Sequence, residues 1–495
     1  MRKIRLIYSI FFFVICLVPF VGMFVTKDKT SAENRELAEF PSVQTEEGWN
    51  IHWLSEAGDY FQEHFAFRQK MVTANAIING KVFGVSSVEG VIQGKNNWLY
   101  YKDSLNDYQG KNLLSNRSLF NIAHSMSITQ RTLEKKGISF AFAVAPNKNS
   151  LYGDNMPYYM QCKVSEESNL KNLQKYLDLE NVSYVNLLET LAVQEEILYH
   201  ERDSHWNNKG AALAGDAILE VLTQEHCDYS NETFQIRKDF EGDLDKMLYP
   251  EAITLEDEIY YDRKPSFSYV ENVINNFEPR IKTVNPAAQG NLVMYRDSFG
   301  NALLPFMADA YANAYFSRGV PYQISADIDA NLADSVVIVR AERFLPEMAA
   351  AVPVLQVEPE AEVSGTIERI TSKGTELVQV KSLGPLVQIS GRILSEYLDE
   401  TSLIYIRFGN GTYYEAFPQD IEIENVTDSG GFCLYIAEDQ LISGMEKFDI
   451  LTGKDGAYQV VGEGVIPSEL IHFPEAIIPS DTENTSYQIE DEIVG

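Results

Sequence analysis

The chain has 495 residues, 45% of them apolar, with 40 Lys plus Arg against 72 Asp plus Glu for a net charge of −32. That length exceeds one ordinary domain and the apolar share supplies a real core, so two domains with appendages are expected. The acidic surplus repels a phosphate backbone and excludes nucleic acid as a partner.

The N-terminus opens with Arg2, Lys3 and Arg5 and then runs uncharged from Leu6 to Val25. An apolar run of that length suits a membrane span better than a signal-peptide core. Basic residues at its front predict a cytoplasmic tip and an exported body. The expectation is therefore a membrane-anchored protein whose body lies outside the cytoplasm, with residues 1–30 as tip and anchor, in preference to cleavage after Ser31-Ala32. Residues 31–87 read as a polar, then helical segment that packs on the main domain through Trp53, Tyr60, Phe61, Phe65 and Phe67.

From residue 88 to 348 apolar runs alternate with helical patterns. Ile138–Val144, Val182–Leu187, Leu292–Tyr295 and Val336–Val339 read as buried strands, and Leu113–Lys136 and Gly210–Gln224 as helices. Such alternation predicts a parallel α/β sheet with flanking helices. Functional groups then gather at the carboxyl ends of the strands. The less regular, acidic and Tyr-rich stretch 233–289 reads either as a solvated loop or as an insertion bordering the cleft. Residues 349–363 read as a linker. Short alternating strands over 364–470 predict an all-β sandwich, a candidate for carbohydrate binding through Tyr405, Tyr413, Tyr414 and Phe417 if these rings are not core. Residues 471–495 form an acidic tail.

Two short motifs carry the chemistry. In Asp203-Ser204-His205-Trp206, an extended backbone would turn Asp203 and His205 to one side and Ser204 to the other. Ser298 follows the apolar run ending at Tyr295 and precedes a helical pattern from Gly300, which places its hydroxyl at a helix N-terminus. Free N–H groups and the helix dipole there would stabilise an oxyanion. Ser298 as nucleophile, His205 as base and Asp203 as its orienting carboxylate make a Ser-His-Asp set. The simpler alternative is that Asp297 or Ser298 caps the helix and that Asp203 and His205 lie in a surface turn. Lys148 and Tyr152 follow the strand ending near Ala145 and are candidates for lining the cleft, the alternative being a solvated loop lysine; Arg318, after the serine helix, is a candidate either for binding substrate or for pairing with the surplus acid. Cys162 and Cys227 are candidates for a disulfide, Cys433 being the odd one out. No metal site and no cofactor are expected, since neither C-x-x-C nor clustered His appears.

The stretch Asp203-Ser204-His205-Trp206-Asn207-Asn208-Lys209-Gly210-Ala211 resembles the D-x-H-W-x-x-x-G-A signature of the AlgX/AlgJ-type SGNH hydrolase-like proteins and their DHHW-type relatives. Asp297-Ser298-Phe299-Gly300-Asn301 resembles their later block with the nucleophilic serine. Further similar stretches are Glu33-Asn34-Arg35-Glu36-Leu37, Glu63-His64-Phe65-Ala66-Phe67-Arg68, Gly94-Lys95-Asn96-Asn97-Trp98-Leu99-Tyr100 and Ala145-Pro146-Asn147-Lys148, so that the resemblance runs over residues 30–345. It implies an SGNH hydrolase-like sheet and transfer of acetyl groups to an extracellular or cell-wall polysaccharide, with a membrane-bound O-acyltransferase as donor. The alternatives are a carbohydrate acetylesterase with the same three residues and a non-catalytic glycan-binding or assembly scaffold. Arg296 stands where the family often has Gly. Arg296 and Asn301 join the candidates for contact with substrate.

Overall fold

The computed structural model describes residues 2–22, 38–45, 48–360, 363, 365–371 and 373–472. The expected tail beyond 472, the cleavage site at Ser31-Ala32 and the Glu33–Leu37 stretch lie outside these residues. The chain divides into two compact units: Met1–Leu355 with Asp399–Thr401 and Phe417–Phe432, and the remainder from Gln356.

The first unit is built on a seven-stranded sheet. Its order is Tyr184–Val185, Ser139–Ala145, Ser335–Ala341, Asn291–Tyr295, Asn313–Ser317, Arg280–Val284 and Ser268–Tyr269. The first five strands run parallel and the last two are antiparallel additions. The central strands are buried on both faces, and their sequences SFAFAVA, NLVMY and SVVIVRA accordingly lack polar alternation. Helices Asn208–Val221 and Gly300–Ala310 cover one face. Gly215 lets them approach, since a Cβ there would already touch Leu303 and Phe306 at 3.3 Å. Helix Asn116–Lys135, capped by Ser115 through Ser118 N–H at 3.0 Å, is buried along nearly its whole length. Its Asn121 donates to Asp420 at 2.8 Å and its Ser125 to the Pro418 carbonyl at 3.0 Å. Segment 417–432 thus covers this helix within the first unit.

The stretch expected as a linker is packed: Ala349, Val352 and Leu355 are buried, and Val354 N–H donates to the Tyr322 carbonyl. Its alanines and valines are too apolar to remain in water. The supposed loop 233–289 contains an antiparallel pair, Phe234–Glu241 with Leu255–Tyr261. Between those strands sits the short helix Asp243–Leu248.

The second unit is strand-rich. One sheet runs Thr366–Arg369, Ala457–Val465, Lys447–Lys454, Leu403–Phe408, Tyr413–Glu415. Thr375–Leu383 and Leu386–Ile393 form a hairpin closed by Gly384-Pro385, with Gly384 at φ +72° as a tight turn demands. Tyr413 and Tyr414 are buried, as is Phe417 in the first unit, and Tyr405 packs beside Tyr413, Leu451 and Val460. These rings are core, not a sugar-stacking platform.

At the other end, helix Arg2–Gly22 contains a 19-residue stretch, Ile4–Gly22, of mean hydropathy 2.4, long and apolar enough to cross a membrane.

Candidate active site

The carboxyl ends of the parallel strands bring the two motifs together. Strand Asn291–Tyr295 leads into Arg296-Asp297-Ser298-Phe299, and helix Gly300–Ala310 starts at once. Asp297 sets this turn from both sides. Its Oδ1 accepts the Phe299 N–H at 2.9 Å and its Oδ2 the Ala341 N–H at 2.6 Å, tying the turn to the end of the neighbouring strand. The helix start does not offer free donors as the sequence suggests. Phe299 N–H is taken by Asp297, Gly300 N–H by the Asp297 carbonyl and Asn301 N–H by the Ser298 carbonyl. The Ser298 N–H has no acceptor among the described residues.

The other motif lies in the bend closed by the bridge between Tyr199 and Trp206. Asn207 caps helix Asn208–Val221, its Oδ1 accepting from Gly210 N–H at 3.0 Å. Trp206 is buried and its indole N–H donates to the Phe299 carbonyl at 3.1 Å, which locks one motif to the other.

His205 Nε2 lies 2.8 Å from Ser298 Oγ, and His205 Nδ1 lies 2.8 Å from Asp203 Oδ1. A carboxylate only accepts, so Nδ1 carries a proton and Nε2 is left to accept from the serine hydroxyl. Asp203 is held at every acceptor. Oδ1 also takes the His205 N–H at 2.8 Å, Oδ2 takes the Asp243 N–H at 2.7 Å, and the carbonyl accepts from Lys148 Nζ at 2.7 Å.

Asp243 is the residue that sequence reading missed. Its Oδ2 lies 3.6 Å from His205 Nδ1, and it accepts from Ser204 twice, N–H at 2.8 Å and Oγ at 2.6 Å. Ser204 therefore does not turn away from the site. The backbone bends here where an extended strand was expected, and the hydroxyl also comes within 3.2 Å of His205 Nδ1. Gly242 makes this possible, because a Cβ there would fall 2.3 Å from the Arg202 carbonyl oxygen. No local signal marks Asp243 among so many acids; only the fold puts it here. Asp203, His205 and Asp243 offer ligand atoms within 4.8 Å of one another, and of these Asp203 Oδ1 and His205 Nδ1 already pair with each other.

The charges shape the proton affinities. Burial pushes the Asp203 carboxyl up, but the adjoining His205 overrides it and holds the group well below the usual carboxylate range. For His205 burial works downward, and the Asp203 charge, helped by Asp243, leaves the imidazole above its ordinary value, with Arg343 working against them. Asp243 is raised by burial and by the Asp203 charge. Arg343, also absent from the sequence reading, lies with its guanidinium carbon 5.6 Å from the Phe299 ring and 5.4 Å from the Tyr101 ring. His205 packs on the same Phe299 ring at 4.8 Å.

The remaining candidates fall elsewhere. Lys148 does not line a cleft. It is buried, donates to the carbonyls of His200, Glu201 and Asp203 at 2.7–2.8 Å, and lies over the Trp98 and Tyr100 rings. Its three protons are spent on the bend that carries Asp203, and burial lowers its pKa to about 7. Tyr152 is half-buried against the core, its hydroxyl accepting from Leu198 N–H at 2.9 Å. Arg296 is buried, donating to Asn301 Oδ1 at 2.6 Å and the Glu278 carbonyl at 3.0 Å, so these two engage each other. Its bulk sits against Gly300, where a Cβ would lie 2.5 Å from the Arg296 Cβ. Arg318 donates to the Phe277 carbonyl at 3.0 Å. Cys162, Cys227 and Cys433 are free thiols, so the candidate pair Cys162 and Cys227 does not form a disulfide; one is exposed and the other partly buried, and burial together with Glu232 raises the Cys227 thiol to about 11.

The fold is an α/β domain whose residues 91–263 are of the SGNH hydrolase-like type. Residues 91–263 match the family described as SGNH hydrolase-like domain, acetyltransferase AlgX. Over that segment, which holds Asp203, His205 and Asp243 and stops short of Ser298, the chain resembles the AlgX/AlgJ-type proteins. Among solved structures, a DHHW family protein from Eubacterium siraeum is 18% identical, with a TM-score of 0.37 over 46% of this chain and 85% of that one. Bacillus cereus PatB1 is 16% identical, with a TM-score of 0.39 over 52% and 96%. Pseudomonas aeruginosa AlgX is 15% identical, with a TM-score of 0.35 over 70% and 87%. Comparison with curated protein sequences yields no match.

Proposed function

We propose that this chain is a serine-dependent O-acetyltransferase acting on a polysaccharide outside the cytoplasm. The observation that carries the reading is the continuous relay from Asp203 Oδ1 through His205 to Ser298 Oγ, each link 2.8 Å. His205 Nε2 takes the Ser298 proton as Oγ attacks the acetyl carbonyl of a donor; Asp203 and Asp243 compensate the imidazolium that forms. The imidazolium then gives its proton to the departing donor oxygen, leaving acetyl-Ser298. In the second half His205 deprotonates a sugar hydroxyl, whose oxygen attacks the acyl carbon, and the imidazolium returns that proton to Ser298 Oγ as the acyl–Oγ bond breaks. The Ser298 N–H is the donor we assign to the oxyanion in both halves.

The acetyl groups come from a membrane-bound O-acyltransferase partner, and helix Arg2–Gly22 anchors the body beside it. The family description of an acetyltransferase over residues 91–263 supports transfer over hydrolysis. The test is to incubate the purified full chain with an acetyl ester, with and without oligosaccharide. Acetylated sugar that disappears in Ser298→Ala supports the proposal. Hydrolysis indifferent to glycan makes the protein an esterase, and unchanged cellular polysaccharide acetylation in Ser298→Ala makes it a scaffold.

A further inference from the structure

The segment that follows the apolar helix exposes several large apolar side chains beside polar ones. Along helix Arg68–Ile78 and the turn Asn79–Phe83, the buried positions are the small residues Thr73 and Ala76. Met71 and Ile78, seven residues apart, lie on one face of the helix with the exposed Asn75 between them, and Val82 follows in the wider turn Asn79–Phe83. They are 42%, 57% and 68% exposed, and Phe83 beside them is 67% exposed. Trp49, Ile51 and Leu54, just upstream, are also exposed. A water-facing helix normally reverses this pattern.

The position of this face decides what covers it. The far end of the apolar helix is fixed to the start of the segment: Ala66 N–H donates to the Pro19 carbonyl at 3.2 Å, the Phe20 and Phe61 rings lie 5.9 Å apart, and Gly22 approaches Ala66 so closely that a Cβ there would come within 2.5 Å of it. With the basic N-terminus in the cytoplasm, that end is where the span leaves the hydrocarbon. The exposed apolar face therefore begins at the level of the headgroups. Lys70, exposed and lying over the Phe67 ring, supplies a cation at the same level, as in-plane helices do.

We propose that residues 68–83 lie in the plane of the outer membrane–water interface, with Met71, Ile78, Val82 and Phe83 inserted among the acyl chains of the bilayer that holds the span. The proposal rests on the anchor and is independent of the enzymatic reading. Such a seat would fix the height and tilt of the body above the membrane as a single span cannot.

The test uses the full chain in phosphatidylcholine/phosphatidylglycerol vesicles, with Cys16, Cys162 and Cys227 replaced by Ser. A nitroxide is placed at Ile78→Cys, 57% exposed in the free chain, or, for comparison, at Leu332→Cys, 77% exposed. The expected result is several-fold lower collision with a water-soluble nickel chelate at 78 than at 332, and higher collision with oxygen. Equal chelate access at both positions, in protein that co-floats with the vesicles, overturns the proposal while leaving the anchor standing. Failure to co-float overturns both.

Discussion

The Trp206 indole N–H donates to the Phe299 carbonyl at 3.1 Å, joining the residue after His205 to the residue after Ser298. Both side chains are buried, and their rings meet edge to face at 4.9 Å. Trp206→Phe keeps the ring contact and removes one donor from the carbonyl, which as the helix N-cap keeps its intrahelical bond. A loss of about 0.5–1.5 kcal/mol in stability is expected from the missing hydrogen bond, with a fall in kcat as Ser298 drifts from His205. A variant as stable and as active as the parent in urea melts and ester assays would show that the link is idle.

Lys148 acts on Asp203 from behind. Lys148→Met preserves length and removes three donors from the His200–Asp203 bend. The expected outcome is a kcat lower by about tenfold or more through misorientation, with KM little changed, and loss of the low-field proton signal of the His205–Asp203 hydrogen bond. That signal persisting in Lys148→Met would reduce the lysine to a packing element. Because it is read without substrate, it separates this question from whether the chain transfers acetyl groups.

The pH dependence follows from the charges around His205. In the proposed reaction the neutral imidazole accepts the serine proton, so the rate should fall on the acid side as His205 protonates. The Asp203 charge, which overrides the effect of burial, places that limb above the ordinary histidine value of 6.5. Asp243→Asn removes a charge that raises it and moves the limb to lower pH; Arg343→Met removes one that lowers it and moves the limb to higher pH. Shifts in the same direction, or none, would rule out this electrostatic assignment. For stability, a raised folded value means that the ion pair's contribution is fully present below the unfolded histidine value and is lost as pH rises through the folded one. Urea midpoints of Asp203→Asn and the parent should therefore converge toward alkaline pH.

Gly300 and Arg296 are coupled by contact. Gly300→Ala places a Cβ 2.5 Å from the Arg296 Cβ, and overpacking of this kind costs about 1–3 kcal/mol. Arg296→Gly in the same chain removes the clash, so the double variant should lose less than the two single losses combined. Additive losses in a double-mutant cycle would mean that the helix simply shifts to make room.

The motifs around Asp203, His205 and Ser298 were legible because their chemistry and spacing are local, and the central strands because a doubly covered parallel strand reads as one apolar run. The apolar helix was equally plain. What the chain could not show is where distant backbone falls. Asp243 is one acid among many until Gly242 brings it against the Asp203 bend. Lys148 reads as a cleft lysine until its burial under three carbonyls is seen, and Arg296 reads as a threat to the nucleophile until it is found turned to Asn301. Helix patterns also promise free N–H groups at the serine turn that Asp297 in fact consumes. Side-chain chemistry is written residue by residue, whereas burial and the pairing of charges depend on contacts between segments tens of residues apart, and those exist only once the sheet has closed.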